Sequence, residues 1–215
     1  MVWTADAEAL GNRLLDDPRV EQAYLAYLPP PPPARDPDTD TPDFRALQGW
    51  LDPFPGLDAV AGWAWPGGDG AGVTVADVEY DWDPLHEDLS GVPDAFAAGL
   101  ASGDYAFHGT SVLGMLVGGD NGYGVTGAVP GVEVAMVSPY ADDGTYSVAI
   151  AVAEAAALLA PGDVLLIEQQ AYAGGTFGPV SVEPAVWEAI ADAVEGGIVV
   201  VEPCLLYTSP SPRDS

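Results

Sequence analysis

Basic residues are the scarcest component of this 215-residue sequence. Lysine is absent, Lys and Arg together number 5 against 33 Asp and Glu, and the formal net charge is -28. A surface with this charge repels nucleic acids and anionic membranes, because both are negatively charged themselves. We therefore expect neither a nucleic acid nor a membrane as a partner.

Cysteine, long apolar runs and export signals are also missing or nearly so. The single cysteine, Cys204, excludes an internal disulfide framework. No apolar run approaches the ~20 residues that a membrane-spanning helix needs. The first residues, MVWTADAEAL, have neither the basic nor the apolar region of a signal peptide, so no signal peptide is predicted in this chain.

What the sequence does contain is an alternation of strand and helix patterns. Hydrophobic residues make up 48% of the chain, as in packed globular domains. Alternating strands and helices predict a parallel sheet that is covered by helices on both faces. The predicted strands are 72–79, 132–138, 163–168 and 198–201, and the predicted helices are 147–160 and 183–197.

Both ends of the chain differ from its middle. Residues 1–28 predict a helix and a short strand, and the proline-rich residues 29–43 predict an extended linker. The composition changes abruptly at residues 204–215, and a reverse translation of residues 204–214 matches a transposon sequencing adapter, so we interpret 204–215 as a non-native tail. The predicted division of the chain is 1–28, 29–43, 44–203 and 204–215.

One histidine lies in a segment that suits proton transfer. His108 begins the run HGTSVLGMLVGGDNGYGVTGAVP, which predicts a helix with this histidine in its first turn. Histidine is the side chain whose ordinary pKa lies near neutrality, which makes a general base one interpretation. A structural histidine at the start of a helix is the other interpretation.

The segments around His108 resemble the subtilisin-like (S8 family) serine peptidases. The family's histidine motif, HGT-(H/S)-V-x-G followed by G-V-x-G-x-x-P, is matched by residues 108–130 without a gap. Upstream, GAGVTVADVEYDWDPLHEDL is similar to the family's first catalytic strand and its H-P-D-L. Downstream, residues 163–170 resemble the strand that lines the substrate cleft, and residues 189–203 resemble the approach to the oxyanion-hole asparagine. The resemblance spans residues 56–203.

The resemblance implies an α/β fold of three layers with a parallel sheet, incomplete here and preceded by a short α+β propeptide-like segment. It implies a monomeric, exported serine endopeptidase that cleaves polypeptides through an acid-His-Ser triad and requires no cofactor. In the family the serine stands in a later G-T-S-M-A-x-P motif, and no serine of this chain has that context. We therefore expect an inactive N-terminal fragment of an active parent.

Two acidic residues compete for the role of orienting His108. Counting back without a gap from H-E-D-L, residues 86–89, leads to Glu79, whereas Asp77 restores the usual residue type but needs an insertion. Side chains alternate along a strand, so both carboxylates point the same way. We predict Glu79 as the catalytic acid, with Asp77 as the alternative.

Two features near the cleft depart from the family pattern. The usual S-L-G of the cleft strand is replaced by Glu168, Gln169 and Gln170. These side chains would bind basic or polar substrates, or simply face solvent. Asp81 stands where the family usually has glycine, two residues after the acid.

The resemblance also implies a structural calcium ion. Asp88 and Asn121 occupy two positions that bind calcium in the family, and hard oxygen ligands suit this ion. A loop that is shaped by its glycines without any metal is the alternative.

Two other functions fit parts of the sequence. GGDGAG, residues 67–72, suggests a phosphate-binding loop, but it precedes a strand, whereas such loops follow a strand and open a helix. A catalytically dead subtilisin-like domain used for binding is the stronger alternative. The presence of a downstream serine motif in the parent distinguishes it from a peptidase.

Overall fold

A parallel sheet forms the centre of the computed structural model, which describes residues 41–173 and 176–203. Its strands are β1 (Thr74–Val78), β2 (Glu133–Val137), β3 (Val164–Ile167) and β6 (Val199–Val201). They lie in the order β2-β1-β3-β6, and every neighbouring pair is parallel. β4 (Gln170–Ala173) and β5 (Thr176–Pro179) form a separate antiparallel hairpin.

The helices are α1 (Ala59–Trp63), α2 (Ala106–Val117), α3 (Val148–Ala157) and α4 (Pro184–Glu195). Short 3-10 helices occupy Arg45–Leu47, Gly49–Leu51, Glu87–Leu89 and Val180–Val182. The Ser147 side chain caps α3 by accepting the N–H of Ile150, and Pro184 opens α4, where its missing N–H costs nothing. None of the helices in the described ranges is long and apolar enough to cross a membrane.

Helices cover both faces of the sheet. On one face, buried residues of α3 and α4 pack against β1, β2 and β3, with Val152, Leu165 and Ile167 fully enclosed. On the other face, Leu113 of α2 packs with Met136 of β2 in a second buried cluster. The predicted α/β class with a parallel sheet between helical layers is therefore confirmed.

The predicted elements of this sheet are observed with slightly shorter ends. The strands predicted at 72–79, 132–138, 163–168 and 198–201 contain β1, β2, β3 and β6, and the two predicted helices contain α3 and α4. The β4–β5 hairpin was not predicted, because its strands are short and β4 follows β3 almost directly. The propeptide-like segment 1–28, most of the linker 29–43 and the tail 204–215 lie outside the described residues.

β6 is an outer strand of the sheet. It pairs with β3 on one side, and no other described strand pairs with it. Its two flanking valines, Val199 and Val201, are 53% and 46% exposed. The sheet therefore ends in a short apolar edge.

Candidate active site

The buried acid of the site lies at the carboxyl end of β1. The backbone N–H of Glu79 donates to the Val137 carbonyl at 3.0 Å, which continues the pairing of β1 with β2. The side chain is 1% exposed, and its Oε1 accepts the Tyr80 N–H at 2.7 Å. In parallel sheets this edge, where the strands end, is the usual place for a functional site.

His108 lies in the first turn of α2, as its motif predicted. The Nδ1 atom of its ring is 2.6 Å from Glu79 Oε2. Tyr105, just before the helix, accepts the His108 N–H and adopts the left-handed region at φ 61, which is uncommon for a residue other than glycine. The His108 side chain is 46% exposed, so one side of the pair is buried and the other faces solvent.

The glycine after His108 lets the helix approach the strand this closely. A Cβ atom at Gly109 would overlap the backbone oxygen of Asp81 and would lie 2.6 Å from Cγ of Glu79. Two non-bonded carbon atoms clash at that distance, so either α2 or the Glu79 side chain would have to move. Gly109 therefore sets the spacing between Glu79 and His108.

Burial and hydrogen bonding shift the pKa of the Glu79 carboxyl in opposite directions. Burial raises the pKa of the Glu79 carboxyl, because the charged form loses water. The hydrogen bonds from the Tyr80 amide and from His108 lower that pKa. A carboxylate accepts hydrogen bonds, so Nδ1 carries a proton, and in the neutral imidazole Nε2 then keeps its lone pair. A neutral imidazole in this tautomer can accept a proton at Nε2.

Asp77, the alternative acid, occupies a different environment. It is fully buried in β1, beside Met136 and Leu166 in the strand register, and neither carboxylate oxygen has a hydrogen-bond partner. Burial, with smaller contributions from Glu79 and Glu168, raises the pKa of Asp77 well above its ordinary value. Of the two candidates, Glu79 is the one whose carboxylate contacts His108.

Asp81 holds the loop before α2 against the end of β1. Its Oδ1 accepts the Trp82 N–H at 2.8 Å, and its Oδ2 accepts the Gly103 N–H at 2.8 Å. Burial raises the pKa of Asp81, whereas these two hydrogen bonds lower it. Asp81 therefore connects the loop before α2 to the end of β1, beside the site.

The three residues of the cleft strand differ in exposure. Glu168 follows β3, is half-buried and interacts electrostatically with His108 and Glu79, and burial raises its pKa. Gln169 is 1% exposed and donates from Nε2 to the Val78 carbonyl at 3.3 Å, so its side chain does not reach the surface. Gln170, the first residue of β4, is exposed. The structure thus leaves Glu168 and Gln170 accessible to solvent, and their role in binding a substrate stays a prediction.

The two predicted calcium ligands lie close together but fit the ion only in part. Asp88 Oδ1 is buried without a hydrogen-bond partner, which suits a cation, whereas Oδ2 accepts the Val125 N–H at 3.0 Å. Asn121 Oδ1 accepts the Tyr123 N–H, and its side chain lowers the pKa of Asp88 as a hydrogen-bond donor. Asp88 Oδ2 and Asn121 Oδ1 are therefore both already hydrogen-bonded to backbone N–H groups of the protein.

Calcium needs six to eight oxygen ligands. Within the described ranges no group of three or more His, Cys, Asp or Glu residues could hold a metal ion. Calcium binding through Asp88 and Asn121 stays a prediction, and no chemical step below depends on it.

Five aromatic rings beside the pair were not singled out from the sequence. We call them the aromatic rim: Tyr80, Tyr105, Phe107, Tyr140 and Tyr146. Three of them flank the site residues in the chain, since Tyr80 follows Glu79 and Tyr105 and Phe107 bracket the start of the His108 turn. That adjacency is the signal by which sequence reasoning could have found them.

Comparisons with known proteins gave partial structural matches only. No protein-family model matches the chain, and no curated protein matches it. Among solved structures, MycP1 with its N-terminal propeptide removed is 24% identical, with 77% of this chain and 54% of that chain covered and a TM-score of 0.48. Fervidolysin from Fervidobacterium pennivorans, a keratinolytic enzyme related to subtilisin, is 24% identical, with 61% and 21% covered and a TM-score of 0.44.

A third solved structure is a cold adapted subtilisin-like serine proteinase. It is 20% identical, with 61% of this chain and 46% of that chain covered and a TM-score of 0.41. The chain therefore spans between about a fifth and about half the length of these solved proteins.

Replacing Gly109 should separate the acid from the histidine. We expect Gly109→Ala to lose the far-downfield proton resonance of a carboxylate-bound imidazole N–H and to lower the free energy of unfolding by about 1–3 kcal/mol. Gly114→Ala is the matched control in the same helix, because its Cβ would meet only Val125 Cγ2 at an ordinary 3.5 Å. NMR and urea unfolding measure both effects. Equal behaviour of the two variants would contradict the close-packing argument.

Removing the ionisable carboxyl of Asp77 should change the pH dependence of stability. A carboxyl whose pKa is raised on folding contributes most stability below its unfolded pKa of ~3.9, and that contribution is lost as the pH rises towards the folded value. We therefore expect Asp77→Asn to gain stability over the native chain progressively from pH 4 to pH 8. Urea unfolding across this range tests it, with the exposed Asp192→Asn as control. A constant difference at all pH values would contradict it.

Proposed function

We propose that this chain supplies the acid and the histidine of a subtilisin-like serine endopeptidase, which hydrolyses polypeptides. The observation that carries the proposal is the 2.6 Å contact between Glu79 Oε2 and His108 Nδ1 at the carboxyl end of β1. The motif resemblance over residues 56–203 and the order of acid before histidine support the same family.

In the proposed reaction, His108 Nε2 takes the proton of a serine hydroxyl while the serine oxygen attacks the carbonyl carbon of the peptide. The imidazolium then gives this proton to the leaving amine, and the C–N bond breaks to leave an acyl-enzyme. Water attacks the ester with the same two proton transfers and releases the acid. Glu79 stays ionised and stabilises the imidazolium in each step.

We propose that the nucleophilic serine lies outside the histidine motif. Ser111, in the GTS that follows His108, is exposed and donates its hydroxyl to the Phe107 carbonyl at 2.7 Å, one turn back along α2. We propose that the intact parent carries the nucleophile in a later G-T-S-M-A-x-P motif. On this proposal the present chain is an N-terminal fragment that forms no acyl-enzyme alone. By family resemblance, the parent is exported and monomeric.

A catalytically dead binding domain is the alternative function. Such a domain has no need for a buried carboxylate, because enclosing a charge opposes folding unless its hydrogen bonds compensate. Both oxygens of Glu79 are hydrogen-bonded, and one of them contacts an imidazole whose side chain is 46% exposed. This arrangement favours proton transfer over binding alone.

The present chain should not react with a serine-directed probe. We expect the purified 215-residue chain to remain unlabelled by a fluorophosphonate, since the chain contains no G-T-S-M-A-x-P motif and the Ser111 hydroxyl already donates to the Phe107 carbonyl. Mass spectrometry of the treated protein measures this, with an active subtilisin as the positive control. Labelling that disappears in His108→Ala would show that a serine of this chain is the nucleophile.

The parent, recovered by reading the gene beyond residue 203, tests the peptidase itself. We expect Glu79→Ala to lower kcat/KM for a peptide substrate about 10⁴-fold, because the imidazole loses its tautomer and its stabilising charge. Asp77→Asn should leave kcat/KM within about tenfold, since Asp77 does not contact the ring. The reverse ranking would assign the acid role to Asp77. A parent without the serine motif would favour the binding domain.

A further inference from the structure

We propose that the peptide segment bound beside His108 carries an arginine or lysine side chain, held by the aromatic rim and by the carboxylates around it. The inference names a substrate class for the same site and therefore rests on the proposed function. It draws on the rings and charges that the proton-transfer chemistry does not use.

The aromatic rim is a connected surface. Tyr80 lies at its centre, with ring centroids 5.5 Å from Tyr105, 6.2 Å from Tyr140 and 6.3 Å from Tyr146. Phe107 extends the surface on the α2 side, 6.3 Å from Tyr105. Phe107, Tyr105 and Tyr146 are 73%, 59% and 45% exposed. Three large rings therefore meet solvent next to a half-exposed histidine.

The hydroxyl groups at the centre of the rim are engaged within the protein. Tyr80 and Tyr146 share a hydrogen bond of 3.2 Å, and the Tyr146 hydroxyl also reaches Gln169 Oε1 at 3.4 Å. Burial raises the pKa of Tyr146, so this ring stays neutral. What these rings offer to a ligand is chiefly their π faces, which attract cations.

Carboxylates border the rim on several sides. Asp104 directly precedes Tyr105 and interacts with Asp81, and Glu183 interacts electrostatically with Tyr146. Glu168 lies within electrostatic range of both His108 and Glu79; its backbone N–H donates to the Val78 carbonyl, and no described residue donates a hydrogen bond to its carboxylate. The field at the rim is therefore strongly negative.

The described chain holds no unpaired lysine or arginine that could neutralise this field. Arg45 is the one Lys or Arg in the described ranges, and its guanidinium is bound to Asp52 at 3.0 Å. An apolar side chain of a substrate would cover the rings but leave the carboxylates unpaired. A guanidinium can bind the rings and the carboxylates together, because it stacks on aromatic faces and pairs with carboxylates.

Peptide binding to the 215-residue chain tests the inference without catalysis. The probes are blocked pentapeptides, Ac-Ala-Ala-X-Ala-Ala-NH2, in which X is arginine, citrulline, norleucine or phenylalanine. Citrulline is the matched control, since it keeps the shape of arginine and lacks its charge. NMR titration of the His108 ring and the rim resonances gives the dissociation constants.

We expect the arginine peptide to bind at least about fivefold more tightly than the citrulline peptide. Phe107→Leu and Glu168→Gln should each lower the affinity for the arginine peptide about two- to fivefold, whereas Phe107→Tyr, which keeps a ring, should not. Trp65→Leu, at an exposed aromatic residue before β1, and Asp192→Asn, at an exposed carboxylate on α4, should change nothing.

Three results would overturn the inference. These are equal binding of the arginine and citrulline peptides, equal or tighter binding of the norleucine or phenylalanine peptide, and no shift with any peptide at millimolar concentration. The Glu79–His108 proton resonance, followed in every sample, verifies that the site is folded. An arginine preference together with a parent that cleaves no peptide would refute the proposed function and not the charge recognition.

Discussion

A buried carboxylate beside a half-exposed imidazole is the constraint on which the site depends. The charge of Glu79 is tolerated in the interior because the Tyr80 amide and the His108 ring both donate to it. The Tyr80 amide is next to Glu79 in the chain, but the His108 donor is available only if α2 begins beside the end of β1. The left-handed Tyr105 starts the helix at that point, and Gly109 removes the Cβ that would hold it away.

The negative charge around this contact is concentrated and shapes the stability of the fold. Glu79 and Glu168 raise the pKa of Asp77, and Glu79 raises the pKa of Glu168, in each case on top of the larger effect of burial, and no described arginine relieves them. The sheet that carries these groups is held by apolar packing on both faces. Hydrophobic burial thus stabilises a fold whose polar edge is destabilising in itself. Proteins commonly offset an unfavourable functional site in this way.

The local elements and the acid-histidine pair could be predicted from the sequence. The β-branched runs predicted β1, β2, β3 and β6 to within a few residues. Counting without a gap from H-E-D-L led to Glu79, whose carboxylate contacts His108. Each strand, the acid and the histidine can be recognised from the residues of a single segment. The short β4–β5 hairpin has no such pattern and was missed.

Other parts of the site depend on contacts between distant segments. The rings of the aromatic rim come from the end of β1, the start of α2 and the loop before α3, and only the parallel sheet brings them together. Gln169 is polar, yet it is enclosed because the Val78 carbonyl accepts its amide. Asn121 has the expected residue type, but a backbone N–H fixes its orientation. No spacing rule within one segment contains this information.

The apolar edge of β6 has a consequence for how copies of this chain behave together. On its outer side β6 pairs with no strand of the described ranges, and its valines are half-exposed, so that side offers backbone groups to the same strand of another copy. The formal charge of -28 keeps such copies apart, but salt screens this repulsion over a length of about 10 Å at 0.1 M. Self-association through β6 would therefore strengthen with ionic strength, opposite to the behaviour of complexes that ion pairs hold together.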